Sequence, residues 1–372
     1  MRIPLSAPDI HESDIEAVCR VLRTPHLSLG PKLEEFEMSI ASYTGAPDAV
    51  AVSSGTSGLH LCIRALGIGA GNEVLVPSFT FIAAANAIRF EGAQPVFIDI
   101  EAKSLNLDPA KIEAAITSRT RAIMVVHTFG CPAEMSSILE IARARGLRII
   151  EDACEAIGAE YDGQKAGTLG DAGVFAFYPN KQITTGEGGA IVTRDLKLAG
   201  RLRTLRNQGR NSSNDWLECS ELGYNYRLSE MNCALGVEQM KRIDTVLARR
   251  EAVARSYHSR LSVNPNLVLP ELSMPRRRIS WFVYVLRLGS RFDRGHRDRI
   301  WQEMRSRGIA CGRYFAPIHL QPIYRTDAAV AGREDLCNTE AIADRVLALP
   351  FFNQITESQI DEVCATLQEI VA

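Results

Sequence analysis

One lysine, Lys181, lies between two apolar segments that have the length and composition of buried strands. The first segment, 173–177, ends before Pro179, and the second, 189–192, follows a glycine-rich loop. Lysine is rarely buried without a partner. Burial favours the neutral amine, which can form a Schiff base with a carbonyl compound. The alternative is a surface hairpin whose lysine is a solvated charge, and this stretch by itself does not distinguish the two.

The overall composition is that of a soluble globular protein long enough for two domains. The chain has 372 residues, 46% of them hydrophobic and 23% charged, and a net charge of -2. This balance predicts no nucleic-acid partner and no membrane partner, and no run of about 18 apolar residues predicts a transmembrane helix. The nine cysteines form no CxxC pair, which predicts reduced, buried thiols, no metal site and a cytoplasmic protein.

Short apolar runs alternate with helical patterns through the first part of the chain. Runs such as 49–52, 73–77 and 122–127 are separated by segments with apolar residues at helical spacing. This alternation predicts an α/β fold with a mostly parallel sheet and helices on both faces. A strand pattern returns at 281–286 and a helical pattern at 338–347, which predicts a smaller C-terminal α/β domain.

Three groups that could hold a ligand follow the ends of predicted strands. A turn of small residues at 53–58 follows the first strand, Phe81 follows the second, and Asp152 ends a later one. Ligands of such sheets bind at the carboxyl ends of the strands. The turn could bind an anion through free N–H groups and hydroxyls, although a cluster that merely starts a helix is the alternative. With Lys181, these groups could hold a flat, phosphorylated heterocycle that carries an aldehyde.

Seven segments carry a resemblance to a known family: 29–37, 54–57, 77–81, 151–154, 173–192, 223–227 and 317–322. They resemble the DegT/DnrJ/EryC1/StrS family of nucleotide-sugar aminotransferases, a fold-type I group of pyridoxal 5'-phosphate (PLP) enzymes in the aspartate aminotransferase superfamily. The resemblance covers nearly the whole chain. It implies a large domain with a mostly parallel seven-stranded sheet between helices. The implied limits are 1–36 for an N-terminal arm, 37–245 for the PLP-binding domain and 246–372 for the small domain.

The resemblance also implies roles at the cofactor for the matching residues. Lys181 would be the Schiff-base lysine and the proton shuttle, and Asp152 would pair with the pyridine nitrogen. Phe81 would stack on the ring. Three residues of the turn would bind the phosphate: Gly55, Thr56 and Ser57.

Other matching residues are implied at the subunit contact and near the sugar. Asn225 would reach the phosphate of the neighbouring subunit, so that the active sites would be shared within a homodimer. Near the sugar substrate we expect His319, Tyr314 and Arg227.

Two positions depart from the pattern of the family. Ala176 stands where the family often has a serine that binds the phosphate, so we expect the phosphate to rely on Thr56, Ser57 and the partner's Asn225. Glu155 stands where the family often has Gln or His near the ring oxygen of the cofactor. That oxygen would repel a carboxylate, so we expect Glu155 to be protonated or to hydrogen-bond elsewhere.

The implied reaction is a transamination for amino-sugar and cell-surface polysaccharide biosynthesis. An amino acid, by family analogy L-glutamate, would leave its nitrogen on the cofactor as pyridoxamine 5'-phosphate (PMP). The amino group would then pass to the keto group of a nucleoside-diphosphate-linked (6-deoxy) hexose. The alternatives are a PLP-dependent sugar dehydratase, which has His in place of the lysine, a regulatory protein with the same fold, and a structural α/β protein without cofactor. The sequence does not identify the sugar, the nucleotide or the carbon that is aminated.

Overall fold

The computed structural model describes residues 1–210, 218–326 and 335–372. The strands of these residues are β1 (Asp48–Val52), β2 (Glu73–Pro77), β3 (Gln94–Ile98), β4 (Thr120–Val126), β5 (Arg148–Asp152), β6 (Glu160–Tyr161), β7 (Gln164–Lys165), β8 (Ala172–Ala176), β9 (Gly189–Thr193), β10 (Leu267–Val268), β11 (Arg277–Arg278), β12 (Tyr284–Leu288) and β13 (Val346–Leu349). The helices are α1 (Glu12–Leu22), α2 (Pro31–Thr44), α3 (Gly55–Ala65), α4 (Ala83–Phe90), α5 (Ile112–Ala115), α6 (Met135–Arg145), α7 (Leu196–Arg206), α8 (Glu230–Lys241), α9 (Ile243–Leu261), α10 (Arg294–Ser306), α11 (Pro322–Arg325), α12 (Cys337–Ala343) and α13 (Glu357–Val371).

The centre of the described part of the chain is a seven-stranded sheet with the strand order β1-β9-β8-β5-β4-β2-β3. The pairs from β8 to β3 are parallel, whereas β9 is antiparallel to both of its neighbours. Alternate residues of each strand face opposite layers of helices. In β1, Val50 and Val52 join the core with α3 and α7, while Ala49 and Ala51 join the core with α2 and α8. The predicted α/β fold is confirmed.

A three-stranded antiparallel sheet, in the order β10-β12-β13, forms the centre of the C-terminal part. Helices α9, α10 and α13 cover it with apolar side chains. The helix predicted at 338–347 is wrong at its end, because α12 stops at Ala343 and Leu347 pairs with Leu286 in the sheet. The fully buried run 346–349 satisfies its backbone through that pairing.

The N-terminal segment contacts both parts of the molecule. Ile3 pairs with Ile309 and belongs to the C-terminal core, while α1 and α2 pack against α8. The predicted limit at residue 36 falls inside the continuous helix α2. The limits at 36 and 245 stay a prediction.

The cysteines only partly match the expectation of buried thiols. Five are buried, Cys154 is half-buried, and three are exposed: Cys19, Cys219 and Cys337. The described residues contain no helix that is long and apolar enough to cross a membrane.

Glu151 fixes the strand end that carries Asp152. Its side chain is fully buried on the opposite side of β5, with Oε2 2.8 Å from His127 Nε2. The carboxylate also accepts hydrogen bonds of 2.7 Å from the backbone N–H groups of three loop residues: Gly167, Leu169 and Gly170. In turn, the N–H of His127 donates to the carbonyl of Asp152 over 3.1 Å. This one buried carboxylate therefore joins two strands and a loop next to the site edge.

We predict that Glu151→Gln lowers the free energy of unfolding by about 2–4 kcal/mol, because an amide NH₂ would face backbone N–H groups that need an acceptor. Urea unfolding of the purified variant measures this loss. The matched control is Glu113→Gln, which removes an exposed carboxylate beside Arg145 and should change stability by less than about 1 kcal/mol. Equal stabilities of the two variants would contradict the assignment.

Candidate active site

The carboxyl edge of the central sheet borders a cavity of about 460 Å³. Its wall brings together most of the residues that the sequence predicts for the site: Gly55, Thr56, Phe81, Asp152, Glu155, Ala176, Lys181 and Tyr314. They come from the ends of different strands and from the loop before α11. The convergence follows from parallel strands, whose carboxyl ends lie at one edge of the sheet.

Lys181 lies on the loop that joins β8 to β9, and backbone hydrogen bonds give this loop one conformation. The N–H of Lys181 donates to the carbonyl of Tyr178 over 2.9 Å, which forms a tight turn. The N–H of Thr185 donates to the carbonyl of Phe177 over the same distance. The side-chain amide of Asn232, on α8, donates to the carbonyls of Thr185 and Glu187. The lysine is thus carried by a fixed loop.

The side chain of Lys181 is largely removed from water. It is 13% exposed, and its Nζ lies 3.6 Å from Glu155 Oε1. The same nitrogen lies 4.1 Å from the centre of the Phe282 ring. These contacts exclude the alternative of a solvated loop charge, because the amine faces the cavity between a carboxyl group and an aromatic face.

Glu155 is buried and hydrogen-bonded away from the cavity centre. Its Oε2 accepts a 2.9 Å hydrogen bond from the N–H of Phe129, a residue with a left-handed backbone (φ 56). Burial raises the pKa of Glu155, and the nearby charge of Asp152 raises it further, while Lys181 and the Phe129 N–H act in the opposite direction. Burial is thus the larger cause and the Asp152 charge the smaller one; the expected repulsion by the ring oxygen of the cofactor stays a prediction.

Asp152 presents its carboxylate to the cavity from the end of β5. It is buried, and its Oδ1 accepts a 3.1 Å hydrogen bond from the N–H of Cys154. The preceding residue, Glu151, points to the other side of the sheet, as strand periodicity requires. A buried carboxylate with one backbone donor can hold a protonated ring nitrogen with its remaining lone pairs.

The turn between β1 and α3 has two different surfaces. Gly55 and Thr56 line the cavity. Ser57 is buried instead in a capping box: its N–H donates to Ser54 Oγ over 3.1 Å and its Oγ donates to the Ser54 carbonyl over 2.7 Å. The Ser57 hydroxyl thus caps the start of α3. Ser57 is not among the described residues that line the cavity, so this subunit gives no support for its predicted contact with the phosphate.

The residues of the cavity fit PLP. A Cβ on Gly55 would lie 2.8 Å from both Ala176 Cβ and Cys154 Sγ, so only glycine lets the turn pack this closely against the end of β8 at the cavity wall. Asn180 Oδ1 is buried at the cavity wall without a hydrogen-bond partner, as expected where a bound molecule supplies one. Phe81 is 60% exposed, which leaves its ring face free for stacking.

Three residues predicted for the substrate or the subunit contact lie outside the described cavity wall. His319 lies between the loop after β2 and helix α12, with Nδ1 2.7 Å from Ser78 Oγ and Nε2 3.1 Å from Glu340 Oε1. Arg227 donates to Asn207 Oδ1 over 3.0 Å. Asn225 is exposed. Its two neighbours in sequence, Tyr224 and Tyr226, stack on each other and pack against the buried His60. Only Tyr314 of the expected sugar contacts faces the cavity.

Two cavity residues of chemical interest were not predicted from the sequence. Asn180 immediately precedes Lys181, which was the only available signal for it. Phe282 comes from the segment before β12 in the C-terminal part, and nothing in the local pattern associates it with Lys181.

Comparison with known proteins identifies the family of the chain. The model of the DegT/DnrJ/EryC1/StrS aminotransferase family matches residues 8–368. GDP-perosamine synthase of Caulobacter vibrioides is 40% identical over 373 residues, which cover 100% of this chain and 98% of that protein.

Two solved structures superpose on nearly the whole chain. DesV of S. venezuelae has a TM-score of 0.91 and 36% identity, and the match covers 100% of this chain and 98% of DesV. The sugar aminotransferase Spr1654 of Streptococcus pneumoniae, in its PLP-form, has a TM-score of 0.94 and 26% identity, with 100% and 99% covered.

We predict that Glu155→Gln stabilises the cofactor-free protein relative to the wild type more and more as the pH rises. A raised folded-state pKa means that the folded protein binds this proton more tightly than the unfolded chain does. The stability from this proton is therefore fully present below the unfolded pKa and lost as the pH rises through the folded one. Glutamine does not ionise and avoids that loss.

Urea unfolding of both proteins at about pH 5 and about pH 8 measures the difference, since an ordinary Glu titrates near 4.3. The Glu113→Gln variant serves as the control for an exposed carboxyl group and should show little change between the two pH values. If the free energy of unfolding of Glu155→Gln minus that of the wild type becomes smaller as the pH rises, the raised pKa of Glu155 is contradicted.

Proposed function

Because the chain belongs to the DegT/DnrJ/EryC1/StrS aminotransferase family and is thereby a PLP-dependent sugar aminotransferase, we propose that it aminates a nucleoside-diphosphate-linked keto-hexose with an amino acid as donor. The observation that carries the proposal is Lys181, held out of water in a cavity that also contains Asp152 and an anion-binding turn. A lysine at this position also favours an aminotransferase over the related dehydratases, which have His there.

Four residues of the cavity have parts in the proposed reaction. PLP, when bound, supplies an electron sink that makes the Cα proton of an amino acid acidic. Lys181 Nζ would attach the cofactor covalently; once released, it would carry the donor's Cα proton to C4′ of the cofactor and, in the second half-reaction, carry a proton from C4′ to the sugar carbon. The Asp152 carboxylate would hold a proton on the ring nitrogen, and the Phe81 ring would orient the flat cofactor. Thr56 and the start of α3 hold the phosphate through hydroxyl and N–H donors.

A protonated Glu155 removes the repulsion that a carboxylate would create at the ring oxygen of the cofactor. Its burial supports this arrangement; because Oε2 accepts the Phe129 N–H, Oε1 is the oxygen that is left to carry a proton. Glu155 can then donate a hydrogen bond where the family often has Gln or His.

A GDP-linked keto-hexose is the substrate that we propose, with L-glutamate as the donor. The support for GDP is the 40% identity with GDP-perosamine synthase over the full length of the chain. The support for glutamate is the family resemblance of the sequence. Tyr314 and the unpartnered Asn180 Oδ1 are the groups of the described wall that we assign to the sugar, because both offer hydrogen bonds at the cavity.

We predict that the wild type converts GDP-linked keto-hexoses in the presence of L-glutamate, and that mass spectrometry and NMR detect the amino-sugar product. UDP- and dTDP-linked keto-sugars should react more slowly. Lys181→Ala should lose both turnover and the near-ultraviolet to blue absorbance of bound PLP, and Lys181→Arg should behave in the same way because it keeps the charge but forms no covalent bond. An active Lys181→Ala would overturn the proposed role, and rapid amination of a UDP-sugar would overturn the choice of GDP.

We also propose a homodimer in which Asn225 completes the site of the neighbouring subunit. The support is its position: Asn225 is exposed, while Tyr224 and Tyr226 anchor the segment through a ring stack of 5.1 Å. The carbonyl of Tyr226 accepts a 2.9 Å hydrogen bond from the N–H of Ser53, in the turn between β1 and α3. An anchored segment with an outward amide is suited to contact a second subunit.

Mixed dimers provide the test of this sharing. A chain with Asn225→Asp and a chain with Lys181→Ala carry different tags, and purification through both tags isolates the heterodimer. Each pure variant should be nearly inactive, because the new carboxylate repels phosphate in one and the amine is absent in the other. The heterodimer should regain about half of the wild-type activity, since one of its two sites contains both native groups. No recovery would contradict a shared site.

A further inference from the structure

Phe282 faces the amine of Lys181, although the two residues belong to different parts of the chain. Its ring forms part of the cavity wall just before β12, and it is only 2% exposed. The ring centre lies 4.1 Å from Lys181 Nζ. The negative face of an aromatic ring attracts an ammonium group, and the attraction is strongest where water is excluded.

The backbone of Phe282 is fixed from behind by a buried arginine. Arg250, on α9, is 3% exposed and donates from NH2 to the carbonyl of Phe282 over 2.6 Å. It also donates from Nε to the carbonyl of Trp281 over 2.7 Å and from NH1 to Asn353 Oδ1 over 3.1 Å. Burial lowers the pKa of Arg250 to about 9. A buried guanidinium bound to two successive carbonyls holds this short segment more firmly than apolar packing alone does.

The segment of Phe282 and the loop of Lys181 also share an anchor. Gln182, the residue after the lysine, donates from Nε2 to the carbonyl of Ser280 over 3.1 Å and to that of Glu155 over 2.7 Å. The N–H of Ser280 donates to the carbonyl of Gly130 over 2.9 Å. The distance between ring and amine is therefore set by one continuous hydrogen-bond network.

We propose that Phe282 is a positioning residue for Lys181, whose ring face holds the ammonium that Nζ becomes each time it takes a proton from carbon. The ring keeps the amine directed into the cavity when the lysine is not bonded to the cofactor. The Glu155 carboxyl group lies within 3.6 Å on another side, so amine, ring and carboxyl form one cluster. This proposal rests on the proposed function in one respect, the use of Lys181 as the proton carrier.

The test replaces Phe282 with mono-, di- and trifluorinated phenylalanine by amber suppression. Fluorine weakens the negative ring face in steps but leaves the shape nearly unchanged, so that folding is preserved. We expect kcat to fall stepwise, by roughly tenfold over the series, while KM for the sugar stays constant. Phe282→Leu should give the full loss, and Phe282→Tyr, which keeps the ring face, should stay near the wild type. A flat kcat across the series would overturn the proposal.

A second measurement uses the cofactor-free protein and needs no turnover. Acetic anhydride modifies an amine in its neutral form and not as ammonium, and peptide mass spectrometry follows the modification of Lys181. Its rate at fixed pH should rise along the fluorinated series and in Phe282→Leu, because a weaker ring face holds the ammonium less firmly. An unchanged rate would overturn the proposal. The proposed function fails separately if Lys181→Ala remains active, and the modification rates still decide the role of Phe282 in that case.

Discussion

The removal of one lysine amine from water is the constraint on which the site depends. A lysine that is 13% exposed needs neighbours that replace hydration, and here they are a carboxyl group at 3.6 Å and a ring face at 4.1 Å. A desolvated cation–π contact contributes about 2 kcal/mol, a useful fraction of the cost of holding the charge. The same surroundings keep the amine in one place, as its proposed roles of nucleophile and proton carrier require.

The parallel sheet provides the edge at which these groups meet, and buried polar anchors keep the edge rigid. Glu151 ties the end of β5 to β4 and to the loop 166–170, directly beside Asp152. Asn232 ties the lysine loop to α8. Each of these side chains forms hydrogen bonds with loop N–H or carbonyl groups that are not paired in the sheet. Catalytic groups on loops are thereby held nearly as firmly as groups on strands.

Docking of the C-terminal part completes the cavity. It supplies the walls formed by Phe282, Tyr314 and Phe315. Asp99, after β3, accepts hydrogen bonds from the N–H groups of Asn338 and Thr339 at the start of α12. These polar links set the position of the second wall relative to the lysine. A substitution at Asp99 can therefore change the surroundings of the Lys181 amine without contacting the amine itself.

Local patterns were sufficient for the frame and for half of the site. Apolar runs between helical segments predicted the α/β sheet, and Asp152, Thr56 and Phe81 were found because parallel strands end at a common edge. The role of Lys181 could be predicted only together with these residues, since its own loop does not distinguish a Schiff-base lysine from a solvated charge. The resemblance of the motifs to a family supplied the cofactor and the reaction class, which no periodicity contains.

Tertiary structure decided what depends on closure of the chain. The sequence presents 346–347 as helix, but pairing with β12 makes them strand. Phe282 lies far from Lys181 in sequence, and only the docked C-terminal part brings its ring to the amine. Residue type and strand order thus determined which chemistry is present, whereas packing between distant segments determined which groups surround the lysine, because those contacts have no local signature.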